Sequence, residues 1–216
     1  MQGSYEVAAI DLPGYNASSA PARRSDYVSG TACAAVADVL EALGRESCVL
    51  VGHDWGGALA FDFAALHPSK VDKLAVLAAP PTALFIENMD GAQLSKSKYM
   101  YVFTTPKLAE LLLSNEDYGM VETMFTDTEQ GGMRRRTLPA ADVARYKDAI
   151  ARPGALTAAL NYYRCAACLP ATPAVHWHAN WEQRLCTTLL PDRCRGCPLA
   201  RPRCCGCLLG AAAPSL

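Results

Sequence analysis

The 216-residue chain lacks an excess of either charge, since 20 lysines and arginines stand against 21 aspartates and glutamates. Proteins that bind nucleic acid or anionic membranes need a positive field, so this balance argues against both kinds of partner. The chain also lacks an apolar run of the roughly 20 residues that a membrane-spanning helix needs. Its first residues lack the basic start and apolar stretch of a secretory signal. We therefore expect a cytoplasmic protein without a transmembrane segment.

Cysteine is scarce in most of the chain, because only Cys33 and Cys48 of the ten cysteines precede Arg164. Lysine, in turn, is missing after Arg164, where the acids are Glu182 and Asp192 alone. Such an abrupt change in composition is typical of a segment that is not part of a folded core. We expect residues 165–216 to form an irregular Cys/Pro/Arg-rich tail that is disordered or an aberrant terminus.

A zinc site is the alternative interpretation of this tail. Two pairs have the spacing of zinc ligands, Cys165-x-x-Cys168 and Cys194-x-x-Cys197. The further ligands available would be His176, His178, Cys204, Cys205 and Cys207. The compositional bias argues against a built zinc module, so we predict no metal and no cofactor.

Apolar runs of strand and helix type alternate over residues 1–81. The segments "YEVAAIDLPGY", "SCVLVGHD" and "DKLAVLAAPP" predict buried strands, while Thr31–Leu43 and "WGGALAFDFAALHP" have helical periodicity. This alternation is typical of an α/β fold with a mostly parallel sheet and flanking helices. Reactive groups in such sheets collect at the carboxyl ends of the strands, and Asp54 stands at one such end.

Residues 82–164 have a different pattern. The segments "GAQLSKSKYMYVFTTPKLAELLLS", "AADVARYKDAIARPG" and "ALTAALNYYR" read as helices separated by glycines and prolines. None of them has the pattern of a strand. We predict three regions: a core at 1–81, a helical cap at 82–164 and the tail.

The segment Gly52-His53-Asp54-Trp55-Gly56-Gly57 predicts a sharp bend between a strand and a helix. Small residues on either side let the strand and helix pass closely, and the bend lifts the central side chain clear of the sheet. The Trp55 backbone N–H would point into the same space from a helix N-terminus. The alternative is that Asp54 only caps the helix. We interpret His53 as a local hydrogen-bonding residue rather than a base.

Together these segments resemble the α/β-hydrolase superfamily, in the epoxide hydrolase branch that carries Asp at the nucleophile elbow. The resemblance runs from about Tyr5 to Arg164. It implies that Asp54 attacks an epoxide carbon and forms an ester, with Trp55 and His53 beside the substrate pocket. The partners would be a small apolar epoxide and water, while the oligomeric state stays open.

The resemblance also implies two proton donors in the cap. The family's tyrosines match Tyr99 in "YMYVFTTP" and Tyr163 in "NYYR". A phenol with a pKa near 10 can donate to the departing epoxide oxygen at neutral pH. The alternative is that these tyrosines only pack on neighbouring side chains.

The resemblance leaves gaps at both ends. The family's His-Gly-Φ-Pro loop, its orienting acid and its histidine base have no match, and His176 follows Tyr163 too closely to be that base. We therefore expect a partial fold whose turnover is impaired. The alternatives are a non-catalytic binder of small molecules or proteins, and a haloalkane dehalogenase-like enzyme.

Overall fold

The computed structural model describes residues 5–126 and 138–168, all of which belong to one compact unit, Met1–Pro170. Helix α1 (Ser29–Ala42) comes first, as its periodicity predicts, and packs on α2 (Trp55–Leu66). Within the described residues the sheet consists of two strands, β1 (Cys48–His53) and β2 (Val71–Leu77). The alternation of strand, helix and strand is therefore confirmed around Asp54.

The two strands are parallel, as predicted. Val49 pairs with Lys73 and the register continues to His53, which pairs with Leu77, so both strands end at the same edge. Helix α2 connects them and packs on both. One consequence is that Asp54 and the residues after Leu77 meet at the carboxyl edge of the sheet.

The prediction of a first strand is wrong, because Tyr5–Leu12 does not form a strand. Tyr5–Leu12 pairs with no other strand, and Tyr5 and Val7 are 66% and 73% exposed. A strand needs a neighbour that takes up its backbone hydrogen bonds, and an apolar pattern alone does not supply one. The turn that follows does form: the Gly14 N–H donates to the Ser19 carbonyl at 2.7 Å.

The described chain after Pro81 is mainly helical, as predicted. Residues 115–118 interrupt the fourth of these helices with non-helical backbone. The helices are α3 (Thr82–Glu87), α4 (Gly91–Lys96), α5 (Lys98–Thr104), α6 (Leu108–Thr126), α7 (Ala140–Ala151) and α8 (Ala155–Cys168). The boundary between core and cap stays a prediction.

The last helix contributes to the hydrophobic interior of the described chain. Tyr162 of α8 is 2% exposed, packs with Tyr27 and Leu59, and donates its hydroxyl to the Pro13 carbonyl at 2.8 Å. Burying a large aromatic side chain stabilises a fold by roughly 1.5–3 kcal/mol. Helix α8 is thus fixed against α2, which places Tyr163 beside the bend at Asp54.

None of the helices in the described ranges combines the length and apolar character that crossing a bilayer requires.

Candidate active site

The change of direction between β1 and α2 falls on a single residue, Asp54. Its backbone has φ 51° and ψ −121°, a conformation that costs a residue with a side chain on the order of 1–3 kcal/mol. Hydrogen bonds hold it from both sides. The Asp54 N–H donates to the Leu77 carbonyl at 3.2 Å, and its carbonyl accepts from Gly57 and Ala58 at 2.9 and 3.0 Å.

The Asp54 side chain makes no hydrogen bond to the end of α2. Interpreting Asp54 as an ordinary helix cap is therefore wrong, because a cap aspartate accepts from the first backbone N–H groups. The carboxylate is exposed and lies at the positive end of α2. It is thus available to a ligand.

Two glycines make the bend possible. A Cβ on Gly52 would lie 2.8 Å from the Gly57 Cα, and a Cβ on Gly57 would lie 2.8 Å from Val76 and 2.9 Å from Ala79. A Cβ on Gly56 would meet nothing within 4 Å. Close passage of strand and helix therefore requires glycine at Gly52 and Gly57, but not at Gly56.

A pocket of about 500 Å³ opens beside this bend. Asp54, Trp55, Tyr99 and Tyr163 all line it, so four of the five predicted site residues share one cavity. Most of the remaining lining is apolar, with Pro80, Phe85, Ile86, Met89 and Met100 as its larger members. A cavity of this size and character suits a small apolar ligand.

The two tyrosines are held by edge-to-face ring contacts. The Tyr163 ring lies 4.9 Å from the Trp55 ring at 84° and 5.1 Å from Phe103 at 78°. Tyr99 lies 6.2 Å from Tyr163 at 82°. Such pairs contribute about 0.5–1.5 kcal/mol each beyond burial. Tyr99 and Tyr163 therefore pack on neighbouring rings and also line the pocket.

Electrostatics keep these phenols protonated. Burial, and to a smaller extent the negative charge of Asp54, raises the pKa of Tyr163. The same two causes raise the pKa of Tyr99. Both hydroxyls are consequently hydrogen-bond donors over the whole neutral range.

Sequence reasoning missed two further tyrosines. Tyr101 also lines the pocket, and it lies in the same segment, "YMYVFTTP", as Tyr99. Tyr15 is half-buried, and burial together with the negative charge of Asp54 raises its pKa to about 12. Tyr15 follows the Pro13-Gly14 turn, and no local pattern relates it to the bend.

The histidines do not gather at this pocket. His53 is exposed and does not line it, which corrects its predicted place: successive side chains of a strand point to opposite faces, so the neighbour of Asp54 points away. His67 ends α2 and contacts the Phe63 ring at 4.9 Å. His176 lies outside the described residues.

The zinc interpretation falls mostly outside the described residues as well. Cys165 is buried, and its thiol donates to the Arg24 carbonyl at 2.9 Å. Cys168 is the last residue of α8, and the other proposed ligands come after it. Among the residues that the structure covers, no three His, Cys, Asp or Glu side chains are grouped as metal ligands.

Comparison with known proteins gives several curated relatives that are named epoxide hydrolases. The mouse (Mus musculus) protein "Epoxide hydrolase 4" is 36% identical over 173 residues, which cover 78% of this chain and 48% of that protein. "Epoxide hydrolase 3" of Xenopus tropicalis is 37% identical over 163 residues, covering 74% and 44%. The chain thus spans about half the length of these relatives.

A solved structure and a family model agree with this. The epoxide hydrolase of Bacillus megaterium in complex with an inhibitor superposes with a TM-score of 0.63 at 28% identity, covering 72% of this chain and 54% of that one. The family model described as "alpha/beta hydrolase fold" matches residues 2–124. Since that match covers more than half of the chain and agrees with the parallel strands, the bend and the pocket, this protein belongs to the α/β-hydrolase fold family and is similar to its epoxide hydrolases.

Proposed function

We propose that this chain is an epoxide hydrolase-like hydrolase in which Asp54 is the nucleophile. The observation that carries the proposal is that the Asp54 carboxylate shares one apolar pocket with the side chains of Tyr99 and Tyr163. A carboxylate is an adequate nucleophile toward a strained ring, and an ester intermediate divides one difficult hydrolysis into two easier steps. The expected partners are a small apolar epoxide and water.

In the first step an Asp54 carboxylate oxygen bonds to an epoxide carbon, and the bond from that carbon to the ring oxygen breaks. The ring oxygen keeps the electron pair and takes a proton from Tyr163 or Tyr99, so that a hydroxyl forms beside the new ester. The phenolate regains its proton from water. Both phenols carry their protons at neutral pH, because a phenol has a pKa near 10 and burial raises the pKa of Tyr99 and Tyr163 further.

In the second step water must cleave the ester, which needs a base. Within the described ranges the histidines are His53 and His67, and neither lines the pocket. We propose that this second step is the slow one in this chain. The ester would then accumulate, and its accumulation offers a direct test.

The experiment is incubation of the purified chain with styrene oxide, followed by intact mass measurement and peptide mapping. We expect one added substrate mass on the peptide that contains Asp54. Because epoxides also alkylate thiols and the chain has ten cysteines, the adduct must be lost in mild base, as an ester is and a thioether is not. Asp54→Asn should abolish the base-labile adduct.

His53→Gln is the matched control, since His53 precedes Asp54 but does not line the pocket. It should form the adduct at the rate of the unmodified chain. An adduct that persists in Asp54→Asn, or that maps only to cysteines, would overturn the proposal. Reversible binding without any adduct would favour a non-catalytic binder.

A haloalkane dehalogenase-like reaction is the neighbouring possibility, since it also begins with attack by an aspartate. Two phenols in the pocket favour the epoxide, because its ring oxygen needs a proton while a leaving halide needs only a hydrogen-bond donor. Release of halide from a 1-haloalkane, at a rate above that of styrene oxide opening, would reverse this preference.

A further inference from the structure

A hydrogen-bonded pair of polar side chains, Gln93 and Ser97, lies in the pocket wall on the cap side. Gln93 of α4 and Ser97, the residue after α4, both line the pocket. They lie one helical turn apart, and the Gln93 carboxamide donates to the Ser97 hydroxyl oxygen at 3.0 Å. The Gln93 backbone is fixed in turn, because its N–H donates to the Asp90 carboxylate at 2.7 Å.

This pair leaves hydrogen-bonding capacity unused. Ser97 is 4% exposed, and among the described residues its hydroxyl has no acceptor while the Gln93 carboxamide oxygen has no donor. Swapping the carboxamide oxygen and nitrogen would not change the conclusion, because the pair still presents one donor and one acceptor. Both side chains line the pocket, so a ligand arm with a matching acceptor and donor would gain hydrogen bonds there that an apolar arm cannot make.

Thr104 is a polar residue of the same pocket that differs in this respect. The Thr104 hydroxyl, which also faces the pocket, already donates to the Tyr101 carbonyl at 2.9 Å. Thr104 therefore lines the pocket, but its hydroxyl proton is already used. It provides a matched control.

We propose that Gln93 and Ser97 bind a group that both donates and accepts a hydrogen bond, a secondary amide or a hydroxyl, on the apolar arm of the substrate. The epoxide would lie at Asp54 and the amide or hydroxyl would face α4, so an epoxide with a purely hydrocarbon arm, such as styrene oxide, still reacts but binds about tenfold more weakly. This inference rests on the proposed function in that it calls the ligand a substrate. The affinity of the pocket for a polar arm does not depend on whether the ligand reacts.

The test therefore uses ligands that cannot react. Binding of three diols is measured by calorimetry with the full chain: one whose arm carries a secondary amide, its ester isostere, which accepts but cannot donate, and its hydrocarbon isostere. We expect the amide to bind about tenfold more tightly than the hydrocarbon, the ratio expected for one net hydrogen bond. The ester should fall between them.

Gln93→Met, which keeps the size and removes the polarity, should abolish the amide preference, and Ser97→Ala should reduce it. Thr104→Val should keep the ratio of the two affinities. Circular dichroism shows whether each variant is folded, and a misfolded Ser97→Ala leaves Gln93→Met to decide. Equal binding of amide and hydrocarbon by the unmodified chain, or an unchanged ratio in folded Gln93→Met, overturns the inference.

The two proposals fail in different ways. An amide preference without any Asp54 adduct keeps the ligand class and removes the hydrolase function. An Asp54 adduct formed equally from amide and hydrocarbon epoxides keeps the function and removes the role of Gln93 and Ser97.

Discussion

Arg164 donates through both terminal nitrogens to the two carboxylate oxygens of Glu110, at 2.8 and 2.9 Å. The Arg164 side chain is 5% exposed and that of Glu110 is 25% exposed. This ion pair joins α8 to α6 at the residue after Tyr163. It consequently fixes the end of the helix that presents Tyr163 to the pocket, and its strength bears on the site as well as on the fold.

Glu110→Gln should destabilise the protein strongly. Removing one partner of a buried ion pair leaves the other charge uncompensated, which costs roughly 3–5 kcal/mol. Because Glu110 is partly exposed, we expect about 3 kcal/mol, the lower end of that range. Urea unfolding followed by far-UV circular dichroism measures it.

Asp142→Asn is the matched control, since Asp142 pairs with Arg145 at 3.0 Å on the surface, where Arg145 is 80% exposed. Exposed pairs contribute less than about 1 kcal/mol. Equal losses in the two variants would show that the Arg164 pair is no stronger than a surface pair.

The same pair predicts an acid-sensitive part of the stability. The hydrogen bonds and charge of Arg164 lower the Glu110 pKa from 4.5 to about 2. A carboxyl group whose folded pKa is lowered stabilises the fold above its unfolded pKa and loses that contribution as the pH falls through the folded value. The stability difference between the unmodified chain and Glu110→Gln should be constant above about pH 5 and should shrink between about pH 4.5 and 2. A difference that does not change down to pH 2 would contradict the assignment.

The charge of Asp62 should change stability with pH in the opposite direction. Burial raises its pKa above 3.8, although the Ser29 hydroxyl donates to it and opposes the shift. A raised folded pKa means that stability falls as the pH rises through it. Asp62→Asn keeps an acceptor for Ser29 and removes the buried charge, so it should raise the Tm at pH 7 and lose this advantage below pH 3.8.

Asp38→Asn on the exposed face of α1 is the control for Asp62. A surface substitution of this kind changes stability by no more than about 0.5 kcal/mol, so its Tm should stay near that of the unmodified chain at both pH values. A lower Tm for Asp62→Asn at pH 7 would mean that the charged carboxylate stabilises the fold through Ser29.

The glycines of the bend allow a sharp comparison. Gly52→Ala places a Cβ 2.8 Å from the Gly57 Cα, a clash with backbone that cannot move aside, and we expect a loss of about 1–3 kcal/mol. Gly56→Ala meets open space inside α2 and should gain up to about 1 kcal/mol from helix propensity. Thermal unfolding of both variants checks this, and destabilisation by Gly56→Ala would show that the bend needs all three glycines.

The bend could be predicted from the sequence because its requirements are local. Gly52 and Gly57 lie against each other, and Gly57 also lies against Val76 and Ala79 near the end of β2, so the six-residue motif contains most of the requirements of the bend. The first strand could not be predicted in the same way, since Tyr5–Leu12 has the residue types of a strand and no pairing partner in the described ranges. Strand formation depends on a neighbour elsewhere in the chain.

The site shows the same division. Asp54 and Trp55 could be predicted from the bend, and Tyr99 and Tyr163 from motifs of the family that the chain resembles. The pairing of Arg164 with Glu110 joins residues 54 positions apart, and no periodicity relates them. The pair of Gln93 and Ser97 is local, but only the pocket shows which face of α4 carries it.

Adjacent tyrosines on α8 give the most discriminating prediction. Tyr162 is buried and donates to the Pro13 carbonyl, while Tyr163 lines the pocket beside Asp54. Tyr162→Phe leaves that carbonyl without its donor, which should lower the free energy of unfolding by about 1–3 kcal/mol. The rate of adduct formation at Asp54 should change little at a temperature where the variant is folded.

Tyr163→Phe should do the reverse. It keeps the ring contacts with Trp55 and Phe103 and removes a hydroxyl that is hydrogen-bonded by the Trp55 side chain. The free energy of unfolding should therefore fall by no more than about 1 kcal/mol, while adduct formation slows by about 10²-fold because a proton donor is lost. Tyr99 remains as a second donor and limits the loss, and Tyr99→Phe together with Tyr163→Phe should slow the step further. If Tyr162→Phe slows the adduct as much as Tyr163→Phe does, the effect comes from the position of α8, and the proton-donor role of Tyr163 fails.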